Sequence, residues 1–235
     1  MRTIPFSKIF WFFTFMLGFQ SCDTKSSSVA TDTRLNTVKQ ILTSGTDQGF
    51  SVLGNVDSFL TNTLIDAVIP EELKKINTQL ENLGLESLVE KEKQYIGKAA
   101  AASVNTVKPI ITSAIQELTL SDAISILSGG KGAATQYLKN KTRDKLIEAI
   151  QPQVETLLNS GEVLPLINKA TKDKTIQSAI NIITGNKETT NIEAGSSISR
   201  YATEQIVDGL FEVTKDYEVN NFGLTESILK STLNK

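Results

Sequence analysis

From Leu35 onwards, apolar residues recur every three or four positions, and no two neighbouring stretches alternate apolar with polar convincingly enough to pair as strands. That spacing lays side chains along one stripe of an α-helix, whereas a half-buried strand needs a period of two. The chain is therefore expected to be all-α, a single irregular multi-helix bundle with kinked helices. Its filling is unusual. Phe6, Phe10, Trp11, Phe12, Phe13, Phe15 and Phe19 all fall in the first twenty positions, which leaves Leu, Ile, Val and Ala to build the core. At 235 residues, one compact domain is the simplest arrangement.

The chain has no histidine, and its one cysteine is Cys22. This excludes Ser-His-Asp and Cys-His nucleophile systems, Cys/His zinc sites and histidine acids or bases. Any catalysis would fall to Asp, Glu, Lys, Ser, Thr or Tyr. A single cysteine also rules out an intrachain disulfide. No cofactor and no metal site are expected.

Residues 1–21 read as an address rather than as part of the fold. Arg2 and Lys8 precede an apolar run from Ile9 to Phe19, and Gln20-Ser21-Cys22 follows. The run is much shorter than the roughly 20 residues a bilayer-spanning helix needs, so a secretory signal is favoured over a retained anchor. A small residue immediately before a cysteine resembles the lipobox of bacterial lipoproteins, although Phe19 and Gln20 stand where Leu and a small residue are usual. Lipidation of Cys22 is expected, against ordinary cleavage or a retained anchor as alternatives. Losing Arg2 and Lys8 moves the formal charge from −2 to −4, since no acid leaves with them. Such a protein has no general attraction for nucleic acid or anionic headgroups, so its membrane partner would be reached through lipid. The expected organisation is a lipoprotein-type signal peptide over 1–21, a flexible Ser/Thr-rich tether over 22–33 and an all-helical domain over 34–235.

Within that domain, Leu35, Val38, Ile41 and Leu42 predict a short helix ending near Gly45, and residues 49–60 a second one interrupted at Gly54. Residues 62–69 are expected as a loop with a few extended positions, because Ile69 precedes a proline. Pro70-Glu-Glu-Leu opens a helix that Gly84 closes. Residues 86–118 form a long helix kinked by Pro109, whose apolar stripe takes in Glu92. Ser121, followed by Asp122, is the expected N-cap of a short helix ending at Gly129-Gly130. Residues 133–159 resume the pattern with a bend at Pro152, and one or two short helices follow around Pro165. Residues 185–195 read as a mobile loop, 197–217 as a strong helix and 224–233 as a short closing one.

These residues, taken in order, resemble the bacterial envelope family catalogued as domain of unknown function 4197. The likeness runs from about Gly49 almost to the C-terminus. It is densest at Asp122-Ala123, at Gly129 with Ala133-Ala134-Thr135 and Tyr137, at Lys141-Thr142, and at Ala202-Thr203 with Asp208-Gly209-Leu210-Phe211. The resemblance implies an all-helical lipoprotein or secreted protein and brings no activity with it.

Three constellations invite chemistry. Ser128-Gly-Gly-Lys-Gly132 lacks the Walker spacing and a preceding strand, so it is expected to end one helix and start another. Tyr137 and Lys141 are four apart and share a helix face, with Thr135 nearby; the pair is expected to pack locally rather than to catalyse, since no nucleophile accompanies it. Glu204, Asp208, Glu212 and Asp216 form an acidic ladder. Asp208 is expected to contact Lys141 or the backbone N–H groups around the Gly129 hinge, with a solvated face or a cation site as alternatives. Asp122, Gly129, Thr135, Tyr137, Lys141, Asp208, Gly209 and Phe211 are thus candidate structural or binding residues. The expected function is a non-enzymatic binding or structural lipoprotein of the cell envelope, in the outer membrane or facing the periplasm, with an envelope protein or apolar ligand as partner. A lipid carrier, or a histidine-independent hydrolase or transferase, is the alternative.

Overall fold

The computed structural model describes residues 25–170 and 194–233. Among them there are nine α-helices and no strand. The helices are α1 (Lys25–Leu53), α2 (Val56–Leu60), α3 (Thr63–Ala67), α4 (Glu71–Asn82), α5 (Glu86–Gln116), α6 (Leu120–Gly129), α7 (Ala133–Ser160), α8 (Val163–Ala170) and α9 (Ala194–Leu233). The expected signal peptide, the expected lipid acceptor Cys22, most of the expected 185–195 loop and the part of the expected helices beyond Ala170 lie outside the described residues.

Four long helices close a ring. α1 packs on α9, α9 on α7, α7 on α5 and α5 on α1, with little contact across the diagonals. Leu42 and Leu53 of α1, Ile111 of α5, Leu146 and Ile150 of α7 and Leu210 of α9 fill its centre, each no more than 1% exposed. Aliphatic side chains supply this interior, as the aromatic-poor composition requires. The short helices α2, α3 and α4 lie along α5 and α9, while α6 bridges α1 and α7. Among the described residues, no single helix is long and apolar enough to cross a membrane.

Several boundaries differ from those expected. α1 does not stop at Gly45 but runs through Gly45 and Gly49 to Leu53. The glycines serve close packing instead of termination: a Cβ on Gly49 would sit 2.5 Å from Leu210 Cδ1 and 3.2 Å from the Leu210 carbonyl oxygen, so glycine lets α1 and α9 approach. α1 also starts at Lys25, which makes helix of residues 25–33 where a flexible tether was expected. Extending an existing helix costs little compared with nucleating one, so weak formers are carried along.

Residues 62–69 hold α3 in place of a loop. The Asn62 side chain accepts a hydrogen bond from the Leu64 N–H at 3.0 Å and caps it, and the restriction imposed by Pro70 acts only on Ile69, beyond the helix end. The N-cap of α6 is Thr119 and not Ser121, because Asp122 at the third helical position completes a capping box with Thr119. The last two expected helices are one continuous α9. Pro109 and Pro152 lie inside α5 and α7 without ending them.

Candidate functional site

α6 leaves α5 at an angle of 99°. The turn is fixed by the capping box: the Thr119 N–H and Oγ1–H both donate to Asp122 Oδ2, at 2.9 and 2.6 Å, and the Asp122 N–H donates to Thr119 Oγ1 at 3.2 Å. The chain then reverses through Gly130 and Gly132, at φ +77° and +83°, which only glycine adopts cheaply, and enters α7. The result is a cleft of about 270 Å³ between α5, α6 and α7. Ser113, Glu117, Asp122, Tyr137, Lys141 and Lys145 are among the side chains lining it.

Asp122, Tyr137 and Lys141, chosen from sequence, therefore meet in one place. Lys141 Nζ lies 5.6 Å from the centre of the Tyr137 ring. Hydrogen bonds from the Thr119 side chain and backbone hold the Asp122 carboxyl below its ordinary range. Burial, followed by the hydrogen bond and charge of Asp122, pushes the Tyr137 phenol above its own. A phenol raised in this way is a poorer acid and is less readily present as the phenolate a general base needs, which counts against the Tyr-Lys pair as an acid-base centre.

The remaining candidates lie elsewhere and make contacts within the fold. Asp208 does not pair with Lys141. Arg143 Nε and Nη2 donate to its two oxygens at 2.9 and 2.8 Å, and Lys139 Nζ lies 2.9 Å from Oδ1. Helical geometry explains the correction: Lys139 and Arg143, four apart, share a face, while Lys141, two residues from each, points away. Burial pushes the Asp208 carboxyl up, but the hydrogen bonds and charges of Arg143 and Lys139 outweigh it and hold the group below its usual range. Lys139 Nζ also lies 5.9 Å from the centre of the Phe211 ring, which is 1% exposed in the core. Gly209 packs against α3, where a Cβ would come within 3.1 Å of Ile65 Cγ1. Gly129 closes α6, and a Cβ there would meet the Cβ of Ala133 at 2.8 Å.

Nor does Asp208 reach the backbone around the hinge. That role belongs to Glu218 of α9, which the ladder at steps of four passes over. Its Oε1 accepts from the Ala134 N–H at 3.0 Å, and its Oε2 from the Thr135 N–H at 2.8 Å and the Thr135 hydroxyl at 2.6 Å. A carboxylate from another helix thus caps the N-terminus of α7, the end the helix dipole makes positive. One signal for it was legible, since Glu218 continues the stripe of Phe211 and Thr214 at helical spacing, and all three are buried.

A second polar locus lies inside the protein. Glu92 of α5 is 0% exposed, and neither of its carboxyl oxygens has a hydrogen-bond partner; Asn77 Oδ1 on α4 is likewise buried and unpartnered. Among the described residues, no group of three or more carboxylate or cysteine side chains converges as a metal site.

A ring of four long helices, fastened by the carboxylates of Asp208 and Glu218 and bearing a cleft between α5, α6 and α7, defines an all-helical domain. The chain belongs to the family described as protein of unknown function (DUF4197), whose model matches residues 28–220. Neither the curated proteins nor the solved structures contain a match.

Proposed function

We propose that the protein is a cell-envelope lipoprotein, held to its membrane by lipid on Cys22, and that its domain is a non-enzymatic binding module whose α5–α6–α7 cleft takes a small polar ligand. The observation that carries the binding role is the cleft itself: about 270 Å³ of open space, just under the usual range for ligand pockets, with Ile110 and Ala114 at its wall and charged and hydroxyl side chains around them. A polar lining favours a polar occupant over the apolar one expected from the aliphatic core. The envelope location rests on the basic start, short apolar run and Ser21-Cys22 ending of the leader.

The test is a thermal-unfolding screen of the wild-type protein and a Tyr137→Phe/Lys141→Met variant against small polar metabolites. Ligands of the cleft raise the melting temperature of the wild type alone. A panel in which every stabilising compound acts equally on both proteins removes the cleft as the site. Metabolic acyl labelling that persists in Cys22→Ala removes the anchor.

A further inference from the structure

The cleft gathers opposite charges without joining them in ion pairs. Glu117 and Asp122, at the α5–α6 turn, supply negative charge, while Lys141 and Lys145 of α7 supply positive charge. Among the described residues, no ion pair joins either lysine to either acid. Local contacts of other kinds hold three of these four groups. Asp122 is bound by the Thr119 N–H and hydroxyl, Glu117 Oε1 accepts from the Ser113 hydroxyl at 2.9 Å, and Lys141 lies over the Tyr137 ring. These contacts orient three of the four charged groups around the space between α5, α6 and α7, and Lys145 is left for a ligand to engage. A preorganised pair of opposite poles is complementary to a molecule that carries both charges itself, and such a molecule satisfies the cleft without leaving one pole unpaired.

Resting on the cleft being the binding site, we infer that its ligand is a small zwitterion with a free ammonium and a free carboxylate, the chemistry of an amino acid or short peptide. The carboxylate engages Lys141 and Lys145, and the ammonium engages Asp122 and Glu117. The Tyr137 hydroxyl, beside Asp122, contributes a further hydrogen-bonding group on the acidic side. A monoanion or a monocation leaves one pair of side chains uncompensated, and the volume limits the ligand to a few residues at most.

The test uses the full-length protein in detergent, with fluorotyrosine incorporated and the Tyr137 resonance assigned by its loss in Tyr137→Phe. The probes are glycine, diglycine and triglycine, each beside its N-acetyl and C-amide forms. A saturable shift of the Tyr137 signal by a free zwitterion is expected, with affinity falling about tenfold or more when either terminus is blocked. Lys145→Gln, which disturbs no contact within the protein, weakens the free peptide but not the amidated one. If acetylated probes bind as well as free ones, the ligand is an anion, and the zwitterion assignment is overturned while the cleft stands. If no glycine probe moves the signal but another polar metabolite does, the assignment is likewise overturned. A Tyr137 signal that no probe or metabolite moves overturns the cleft itself.

Discussion

Glu92 makes the folded protein more stable in acid than at neutral pH, within the window where its surface carboxylates have already ionised. The side chain is 0% exposed and its oxygens, like Asn77 Oδ1, find no donor. A proton on Glu92 removes the buried charge and supplies the missing donor. Burial pushes the carboxyl from 4.5 up to about 8, and the charge of Lys93 pulls it back only in part. The folded state thus keeps a proton that the unfolded chain releases above its ordinary value. Stability is full below that value, declines as pH rises toward the folded value, and is level beyond it. At ~1.4 kcal/mol per pH unit, the loss by pH 7 is about 3 kcal/mol. Glu92→Gln keeps the shape, offers an N–H to Asn77 Oδ1 and has nothing to titrate. Urea unfolding at pH 5, 6, 7 and 8 should show the wild type losing roughly tenfold in folding equilibrium per unit relative to the variant, so that Glu92→Gln is the more stable protein at pH 7 by 1–3 kcal/mol, on the order of the avoided deprotonation. Parallel profiles would refute the reasoning, because they require a Glu92 that is ionised, or solvated, in the folded state.

Other consequences follow from the helix contacts. Asp208→Asn and Arg143→Met should each cost about 2–3 kcal/mol and be strongly non-additive, whereas Asp208→Asn and Lys141→Met should be additive, as read by chemical denaturation. Because the Asp208 carboxyl is depressed, its contribution is present above the unfolded value of 3.8 and is lost as pH falls below it; Asp208→Asn should therefore flatten the acid limb of the stability profile. Glu218→Ala removes three accepted hydrogen bonds from the start of α7 and should cost about 2 kcal/mol, with amide exchange at Ala134 and Thr135 accelerating before the rest of α7. Gly49→Ala places a methyl group 2.5 Å from Leu210 Cδ1 and should lower stability by about 1–3 kcal/mol; an unchanged melting temperature would show that α1 and α9 can separate freely.

Periodicity made the helices legible, because it reports which face is buried whatever it is buried against. It failed where a residue has two physical uses. Gly45 looks like a helix stop and Gly49 like the start of another helix, yet both are contact points inside α1, and only the position of Leu210 and Thr214 on a helix far along the chain reveals it. Asn62 looks like a loop former, yet its side chain starts α3. At the site, the Tyr137–Lys141 face was readable from a spacing of four, and Asp122 from its place at a helix start. The ladder at Glu204, Asp208, Glu212 and Asp216 drew attention to regular spacing, while the carboxylate that caps α7 is Glu218, whose place on the apolar stripe of Phe211 and Thr214 marks it as buried but not as a cap. Glu92 stood in plain view on an apolar stripe between Leu88 and Ile96, where a charge signals either a break in the pattern or a buried group.

The polar side chains of α7 divide by rotation. At about 100° per residue, Lys139 and Arg143 fall on one side of the helix, and Tyr137, Lys141 and Lys145 on the other. α9 occupies the first side with Asp208 and reaches the start of α7 with Glu218, so the electrostatic fastening of the bundle uses one face and one end of α7. The second face turns outward, with Lys141 and Lys145 exposed. Among the described residues no carboxylate forms an ion pair with its lysines, which line the cleft instead. Substitutions on the two faces should accordingly separate: changes at Lys139 or Arg143 should register in stability with ligand affinity intact, and changes at Lys141 or Lys145 in affinity with stability intact. Loss of both properties from a single change at Lys145 would show that the faces are not independent.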